Sequence, residues 1–318
     1  MKRIIALVVT LISLAGGGAL GAESTKEIRI GYQSSSSMVL LAKVKGYYDE
    51  EFAKDGIKVK YNLFLAGPAM IEALAGGRID LVQTGDMPPV SGRAAGIDIK
   101  VVANSGFDPA HNAVLVGPNS SMKTPRDLKG KKVALPVGSS AHHFLYLLLA
   151  KYGLKPGDVH LVNLPGPDLA NALENKNVDA VAVWEPFVAN IELSGKGRVL
   201  ADSTNVKRAV NVYIARNEFG KENPQLVERF IKATKRAIDY IKKNPKKAQQ
   251  AIAAENRFPL PVVAKITTRY NWSLTITDKD VKALEQVKGF LRETKVLKKE
   301  FKISELFDAS YLKRTGLK

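Results

Sequence analysis

Two runs of serine stand at predicted strand-to-helix junctions, where they could bind an anion. The runs are Gln33-Ser34-Ser35, with two more serines behind it, and Gly138-Ser139-Ser140. A helix N-terminus has unpaired N–H groups and a partial positive charge, so it binds anions without a charged side chain. Serine hydroxyls add further hydrogen-bond donors. A plain serine N-cap is the alternative for each run.

The two runs belong to a repeat that the chain carries about a hundred residues apart. A shift of 99 positions lays Asp80 on Asp179 and Asp86 on Glu185. Each copy reads as strand, helix, strand, helix and strand, with its serine run after the first strand. Two similar βαβαβ units predict two similar lobes. We therefore expect two helix starts to face one cleft and hold a small anion between them.

Strands that alternate with helices predict an α/β fold in which each lobe is a mostly parallel sheet flanked by helices. Strand candidates are 28–33, 57–64, 79–84, 99–104, 113–116, 132–136, 159–164, 178–184, 197–201 and 210–215. The polar break Gly117–Ser120 is interpreted as the first crossing between lobes. Lobe 1 is accordingly predicted to comprise 28–116 and 211–318, and lobe 2 to comprise 117–210. The helical remainder is expected to pack on lobe 1.

Further candidates lie at the ends of predicted strands, where ligands bind in open α/β sheets. They are Gly85, Asp86, Trp184 and Glu185. Trp184, with Met38 and Met87, could contact an apolar tail, and a core position is the alternative. For the two carboxylates, a structural role competes with ligand contact. His142 could donate a hydrogen bond to the anion, or it could simply pack or cap the helix.

Composition bounds the possible functions. The 318 residues are 45% hydrophobic, enough for buried cores, and no cysteine is present, which excludes disulfides and thiolate sites. Four histidines without metal-ligand spacing predict no metal site. No catalytic motif occurs outside the N-terminal segment, so no enzyme activity is expected. The net charge of +17 could attract anions, and its scattered distribution argues against nucleic-acid binding.

The first 22 residues have the form of a signal peptide. Lys2-Arg3 precedes a twelve-residue stretch from Ile4 to Ala15 that is apolar except at Thr10 and Ser13, and small residues follow it. This stretch is too short to span a bilayer comfortably, and no later one is long enough. Since no cysteine follows it, a lipid anchor is not expected. The segment predicts a secreted, unanchored protein, for which a bacterial periplasm is the best fit.

The ordered motifs resemble the periplasmic solute-binding proteins of ABC importers, and within them the aliphatic-sulfonate-binding group allied to taurine and nitrate binders. They are Ile30–Gln33, Ala66–Pro68, Gly85–Pro89, Asp127–Val133, Gly138–Leu145, Asn177–Ala180 and Trp184–Pro186. The resemblance implies a two-lobed type II binding-protein fold, with two crossing strands as its hinge. It also implies a monomer that delivers its ligand to the transmembrane subunits of a permease. Tyr213 matches an aromatic position near the hinge of this family.

The resemblance implies that the ligand is a small organosulfonate, with no cofactor involved. Taurine, nitrate and a pyrimidine vitamin precursor remain alternatives, and an enzyme on the same fold is a less favoured one. Two departures from the family pattern affect specificity. His143 stands where tyrosine or asparagine is common, and Glu185 where aspartate is frequent.

Overall fold

The computed structural model describes residues 25–35 and 37–317. The predicted signal peptide lies outside this part of the chain. Its strands are β1 (Glu27–Gln33), β2 (Lys58–Phe64), β3 (Leu81–Gly85), β4 (Ile99–Phe107), β5 (Asn112–Val116), β6 (Lys132–Leu135), β7 (His160–Asn163), β8 (Ala180–Trp184), β9 (Arg198–Asp202) and β10 (Val210–Arg216). Each strand coincides with a segment that the sequence pattern predicts, within two residues or so at most ends.

The helices connect and cover these strands. They are α1 (Met38–Val44), α2 (Tyr47–Ala53), α3 (Gly67–Ala75), α4 (Met87–Ala94), α5 (Ser140–Lys151), α6 (Leu169–Glu174), α7 (Phe187–Leu193), α8 (Asn217–Glu222), α9 (Pro224–Lys243), α10 (Pro245–Asn256), α11 (Leu260–Arg269), α12 (Asp278–Glu293) and α13 (Ser310–Arg314). Within the described residues, no helix is both long and apolar enough to cross a membrane.

The strands of the described residues form two five-stranded sheets with the same topology. Their orders are β2-β1-β3-β10-β4 and β7-β6-β8-β5-β9. In the first sheet β10 runs antiparallel to its neighbours, and in the second sheet β5 does so. Each half of the chain thus lends one antiparallel strand to the sheet of the other half. We call the first sheet with its helices lobe 1 and the second lobe 2.

This exchange of strands corrects one boundary of the sequence analysis. The prediction that the chain first crosses at Gly117–Ser120 is wrong, because β5 pairs with β8 and β9. The first crossing is the short segment 108–111, between β4 and β5, and the second is 203–209, between β9 and β10. Both crossing segments are turns or irregular chain rather than strands. The return of the chain to the first sheet at β10 is as expected.

The two aligned aspartates of the repeat, Asp80 and Asp179, make equivalent hydrogen bonds in the two lobes. Asp80 accepts a hydrogen bond from the backbone N–H of Arg29 at 3.0 Å, and Asp179 accepts one from the backbone N–H of Lys132 at 2.8 Å. Each carboxylate thereby ties the third strand of its unit to the start of the first. The repeat is therefore real at the level of hydrogen bonds, and these aspartates do not reach the cleft.

Apolar clusters cover both faces of each sheet. In lobe 1 one cluster lies under α1, α2 and α9, and another lies under α3, α4 and α12. The C-terminal helices do not pack on lobe 1 alone, as the sequence analysis expects. In α11, Val262 and Ile266 pack against Ala189 of α7 in lobe 2. On α12, Phe290 contacts the rings of His143 and Tyr146 in α5. Lobe 2 is thus held on two sides by helices that follow β10.

Candidate functional site

The start of α5 carries a serine that does not cap its own helix. Ser139 is the N-cap residue in extended conformation, yet its side chain accepts no capping hydrogen bond. Its Oγ is buried and has no partner among the described residues. Gly138 precedes it with φ +81°, a left-handed conformation that glycine adopts without strain. The hydroxyl is therefore free to donate to a group that lies in the cleft.

The first serine run behaves differently from its predicted counterpart. Ser37 caps α1 with its own side chain, which accepts from the N–H of Leu40 at 3.3 Å. The helix start that instead opens toward α5 is that of α3, where Ala66 offers no side-chain cap and Gly67 lines the cleft. Within the first run, Ser35 has a buried Oγ without a partner. The start of α1 thus lines the cleft through Ser35 and Ser37, and the start of α3 lies opposite α5 at Gly67.

Two adjoining compartments occupy the cleft between the sheets. The polar compartment has a cavity volume of about 20 Å³ and the aromatic compartment one of about 30 Å³. The polar compartment is lined by Gln33, Gly67, Thr84, Gly85, Pro88, His111, Ser139, Ser140, Trp184 and Asn211. The aromatic compartment is lined by Gln33, Ser35, Ser37, Gln83, His111, Trp184, Glu185, Asn211, Ile266, Tyr270 and Trp272. Four residues line both, so the compartments form one continuous site.

The polar compartment offers neutral hydrogen-bond donors. Neither lysine nor arginine lines it among the described residues. Lobe 1 and lobe 2 approach closely here, because a Cβ on Gly85 would lie 2.4 Å from the Oγ of Ser140. A side chain at position 85 would force Ser140 to shift, and glycine avoids that. The compartment can therefore surround an anion with hydroxyl, amide and backbone N–H groups from both lobes.

His111 lies on the first crossing segment and lines both compartments. Its Nδ1 is buried and has no partner among the described residues. Burial lowers the pKa of His111 to about 4, with Asp108 opposing the shift and Lys207 and Arg269 adding to it. The imidazole is therefore neutral at pH 7, and it can present one N–H to a ligand without carrying charge.

Asp86 does not line either compartment, and it forms a buried ion pair instead. The Nζ of Lys207, on the second crossing segment, lies 2.9 Å from Asp86 Oδ1. The same Nζ donates to the backbone carbonyl of Ser140 at 2.9 Å. Burial raises the pKa of Asp86, which Lys207 counteracts, and burial lowers the pKa of Lys207. Lys207 therefore links the end of β3 in lobe 1 to the start of α5 in lobe 2.

Glu185 lines the aromatic compartment, but both of its oxygens are engaged. Oε1 accepts from Arg269 at 2.6 Å, and Oε2 accepts from the N–H of Ala189 at 2.9 Å. The same Arg269 nitrogen lies 2.9 Å from Asp108 on the first crossing segment. Burial raises the pKa of Glu185, and Arg269 opposes that shift. The two repeat-related acids thus have equivalent partners. Asp86 is paired with Lys207 and Glu185 with Arg269, and each basic side chain comes from outside the repeat unit of its acid.

Several predicted site residues lie elsewhere. His142 accepts a hydrogen bond from the N–H of Gly138 at 3.4 Å and packs its ring against Phe290, so it caps the start of α5. Tyr213 is fully buried in the lobe 1 core, with its ring 5.7 Å from that of Phe230. The remaining predicted residues outside the lining of both compartments are Ser34, Asp86, Gly138, Met38 and Met87.

The sequence analysis missed the residues that complete the site. Asn211 lies on β10 two positions before Tyr213, on the same face of the strand but in the cleft. Tyr270 and Trp272 come from the segment after α11, outside the repeat. His111 lies on the crossing segment between β4 and β5, whereas the sequence pattern predicts the crossing at Gly117–Ser120. The short Asp-Pro-Ala-His sequence before β5 was the available signal.

This chain belongs to the family described as NMT1/THI5 like, whose sequence model matches residues 33–248. It is 34% identical over 320 residues to a putative aliphatic sulfonates-binding protein of Bacillus subtilis, covering 98% of this chain and 96% of the relative. It is also 34% identical to a protein of the same description from Escherichia coli, covering 90% of each. The E. coli taurine-binding periplasmic protein is 30% identical over 67% of this chain and 64% of its own length.

Solved structures of such proteins share the fold. The periplasmic aliphatic sulphonate binding protein SsuA from E. coli superposes with a TM-score of 0.78 at 31% identity, covering 89% of this chain and 97% of that one. The alkanesulfonate-binding protein SsuA from Xanthomonas axonopodis pv. citri, bound to MOPS, has a TM-score of 0.84 at 27% identity, covering 90% and 99%. The desulfurization enzyme DSZB has a TM-score of 0.69 at 14% identity, which extends the likeness to the fold alone.

Proposed function

We propose that this protein is the solute-binding component of an ABC importer and that it binds a small alkanesulfonate between its two lobes. The observation that carries the proposal is the buried hydroxyl of Ser139, unpartnered and placed in the lining of the polar compartment. A buried donor without a partner is costly, and a bound anion removes that cost. The names of the relatives from B. subtilis and E. coli support the same ligand class.

The chemistry of the polar compartment matches a sulfonate head. A sulfonate keeps a single negative charge at all physiological pH values, so neutral donors suffice and no proton has to be managed. The starts of α3 and α5 add backbone N–H groups and their dipoles from both lobes. Ser139, Asn211 and Gln33 provide side-chain donors around the same space. Contacts from both lobes to one ligand stabilise the closed conformation, which the permease then recognises.

The aromatic compartment separates the candidate ligands. Trp184, Tyr270 and Trp272 suit an apolar tail, which nitrate lacks. Taurine ends in an ammonium group, and the acids near this compartment, Glu185 and Asp108, share Arg269. The ammonium group of taurine would have to compete with the Arg269 guanidinium for these two carboxylates. The geometry therefore favours an uncharged tail over taurine, nitrate or a basic pyrimidine.

We further propose that the protein binds its ligand without converting it. Ser139, Ser140 and His111 line one compartment, but neither hydroxyl is hydrogen-bonded to the imidazole among the described residues. An activated serine nucleophile needs such a base. We propose that the protein acts as a periplasmic monomer, released from its signal peptide without a lipid anchor, and that its partners are the permease subunits rather than nucleic acid.

Calorimetric titration with ethanesulfonate tests the proposed function. The double variant Ser139→Ala/Ser140→Ala should bind at least tenfold more weakly, because one charge-assisted hydrogen bond contributes roughly 1.5–3 kcal/mol. Its thermal midpoint should stay close to that of the wild type, since Ser139 caps nothing. Ser91→Ala is the matched control, because Ser91 Oγ is also buried and unpartnered but lies outside both compartments. Tighter binding of taurine or nitrate than of ethanesulfonate would contradict the ligand assignment.

A further inference from the structure

A second, larger cavity lies on the outer side of the aromatic compartment. We call it the outer groove, and its cavity volume is about 520 Å³. It is lined by Ile241, Lys242, Pro245, Gln249, Thr267, Thr268, Tyr270, Asn271, Trp272 and Ser273. Tyr270 and Trp272 also line the aromatic compartment. The two rings therefore form the partition between the aromatic compartment and the outer groove.

The partition consists of one fixed ring and one ring without a hydrogen-bonded anchor. Tyr270 and Trp272 stack with ring centroids 4.0 Å apart and planes 27° apart. The hydroxyl of Tyr270 accepts from Asn211 Nδ2 at 2.9 Å, which ties it to β10. Trp272 makes no side-chain hydrogen bond among the described residues, and it lies on the irregular segment 270–277 between α11 and α12. Only stacking and packing hold the indole in place.

The aromatic compartment offers a tail far less room than the outer groove does. Its cavity volume is about 30 Å³, against about 520 Å³ for the groove. The rings of Tyr270 and Trp272 line both spaces, so a short tail can stay on the inner side of them, whereas a longer tail has to pass them.

We propose that the outer groove is an extension of the ligand site for longer alkanesulfonate tails, and that the indole of Trp272 turns aside to admit them. This inference rests on the proposed function, since it places the sulfonate head in the polar compartment. The groove offers Ile241 and Pro245 as apolar contacts for the chain. Its remaining side chains are largely polar, so the end of the tail can stay hydrated. Chain length is thus selected at Trp272.

The test is calorimetric titration with ethanesulfonate and hexanesulfonate, compared as the ratio of their two affinities. Thr268→Trp places a bulky ring in the groove and should reduce the relative affinity for hexanesulfonate at least tenfold. It should leave ethanesulfonate binding unchanged, because Thr268 lies outside both compartments. Trp272→Ala removes the partition and should shift the ratio at least fivefold toward hexanesulfonate. Thr268→Ser is the control, since it keeps the small hydroxyl.

The outcomes separate this inference from the proposed function. If the wild type binds ethanesulfonate but not hexanesulfonate, or if Thr268→Trp leaves the ratio unchanged, the groove is not part of the ligand site. If ethanesulfonate itself does not bind to the wild type, the proposed function is wrong, whatever the groove does. Thermal melts of each variant show whether a lost affinity reflects lost folding. Opposite shifts in the two variants support the proposal.

Discussion

Replacement of Lys207 by methionine should have a large and pH-dependent cost. Lys207 and Asp86 are exposed by only 1% and 0% of their side-chain surface, and they lie 2.9 Å apart. Methionine preserves most of the apolar stem but leaves the Asp86 carboxylate buried without a cation. Its Oδ2 has no hydrogen-bond partner among the described residues, and the backbone N–H groups of Met87 and Val210 near this carboxyl carry no charge to replace the lysine. Removing one member of a buried pair costs about 3–5 kcal/mol.

The pH dependence of the stability lost in Lys207→Met shows whether the buried Asp86 carboxylate causes the loss. Burial already raises the pKa of Asp86 in the presence of Lys207, and without the lysine the folded protein should hold this carboxyl protonated. The unfolded carboxyl ionises near pH 4. Stability is therefore retained below pH 4 and lost as the pH rises, at about 1.4 kcal/mol per unit. From pH 5 to pH 7 the cost of Lys207→Met should therefore grow, because Lys207 opposes the upward pKa shift of Asp86 in the wild type and is missing from the variant.

Urea unfolding at pH 5 and pH 7 measures this cost in the wild type and in Lys207→Met. The double variant Asp86→Asn/Lys207→Met carries no buried charge, so it should recover much of the lost stability and lose the pH dependence. Lys282→Met is the control, because Lys282 is exposed on α12 and should change stability by less than about 0.5 kcal/mol. A cost for Lys207→Met below about 1 kcal/mol at both pH values would refute the claim that the buried Lys207–Asp86 pair stabilises the protein.

Two further predictions concern the cleft. Because the pKa of His111 is lowered to about 4, the wild type should lose up to about 3 kcal/mol of stability as the pH falls from 6.5 to 4. In urea unfolding, the variant His111→Gln should lose less stability over the same pH range. An identical pH profile in the variant would contradict neutral burial of the ring. Gly85→Ala places a Cβ 2.4 Å from Ser140 Oγ, so it should hinder closure and weaken ethanesulfonate binding at least tenfold in calorimetry. Gly289→Ala, with nothing within 4 Å, is its control, and equal affinities would show that the contact is not required.

The strands could be predicted because their signals are local. The residues Ala180–Trp184 form a continuous apolar run, which is typical of a strand buried on both faces, and the structure buries all five. The repeat also predicted correctly that both units share one topology. The exchange of β5 and β10 between sheets could not be read from the chain, because partner choice in a sheet is a nonlocal property. Gly117 and Pro118 therefore resembled a domain boundary, although they only end β5.

Among the residues that line the cleft, the sequence analysis names several from the repeat and none from the segment after α11. Ser139 comes shortly after β6 and Trp184 ends β8, and both line the cleft. Tyr270 reaches the cleft only because β4 leaves room for its segment: Gly106, at φ +101°, would place a Cβ 2.2 Å from the backbone oxygen of Asn271. Such a close approach depends on two segments that are distant in sequence. No periodicity or motif near Tyr270 indicates that its segment packs against β4.

The paired acids of the repeat explain how a site for an anion tolerates carboxylates nearby. Asp86 and Glu185 both follow the third strand of their units, within the interface between lobes, and either would repel a sulfonate if left alone. Each is bound instead by a cation from outside its own unit, Lys207 or Arg269. The same contacts that neutralise these charges also join the two lobes. In this arrangement both carboxylates are already paired, so the polar compartment presents neutral donors to an anion.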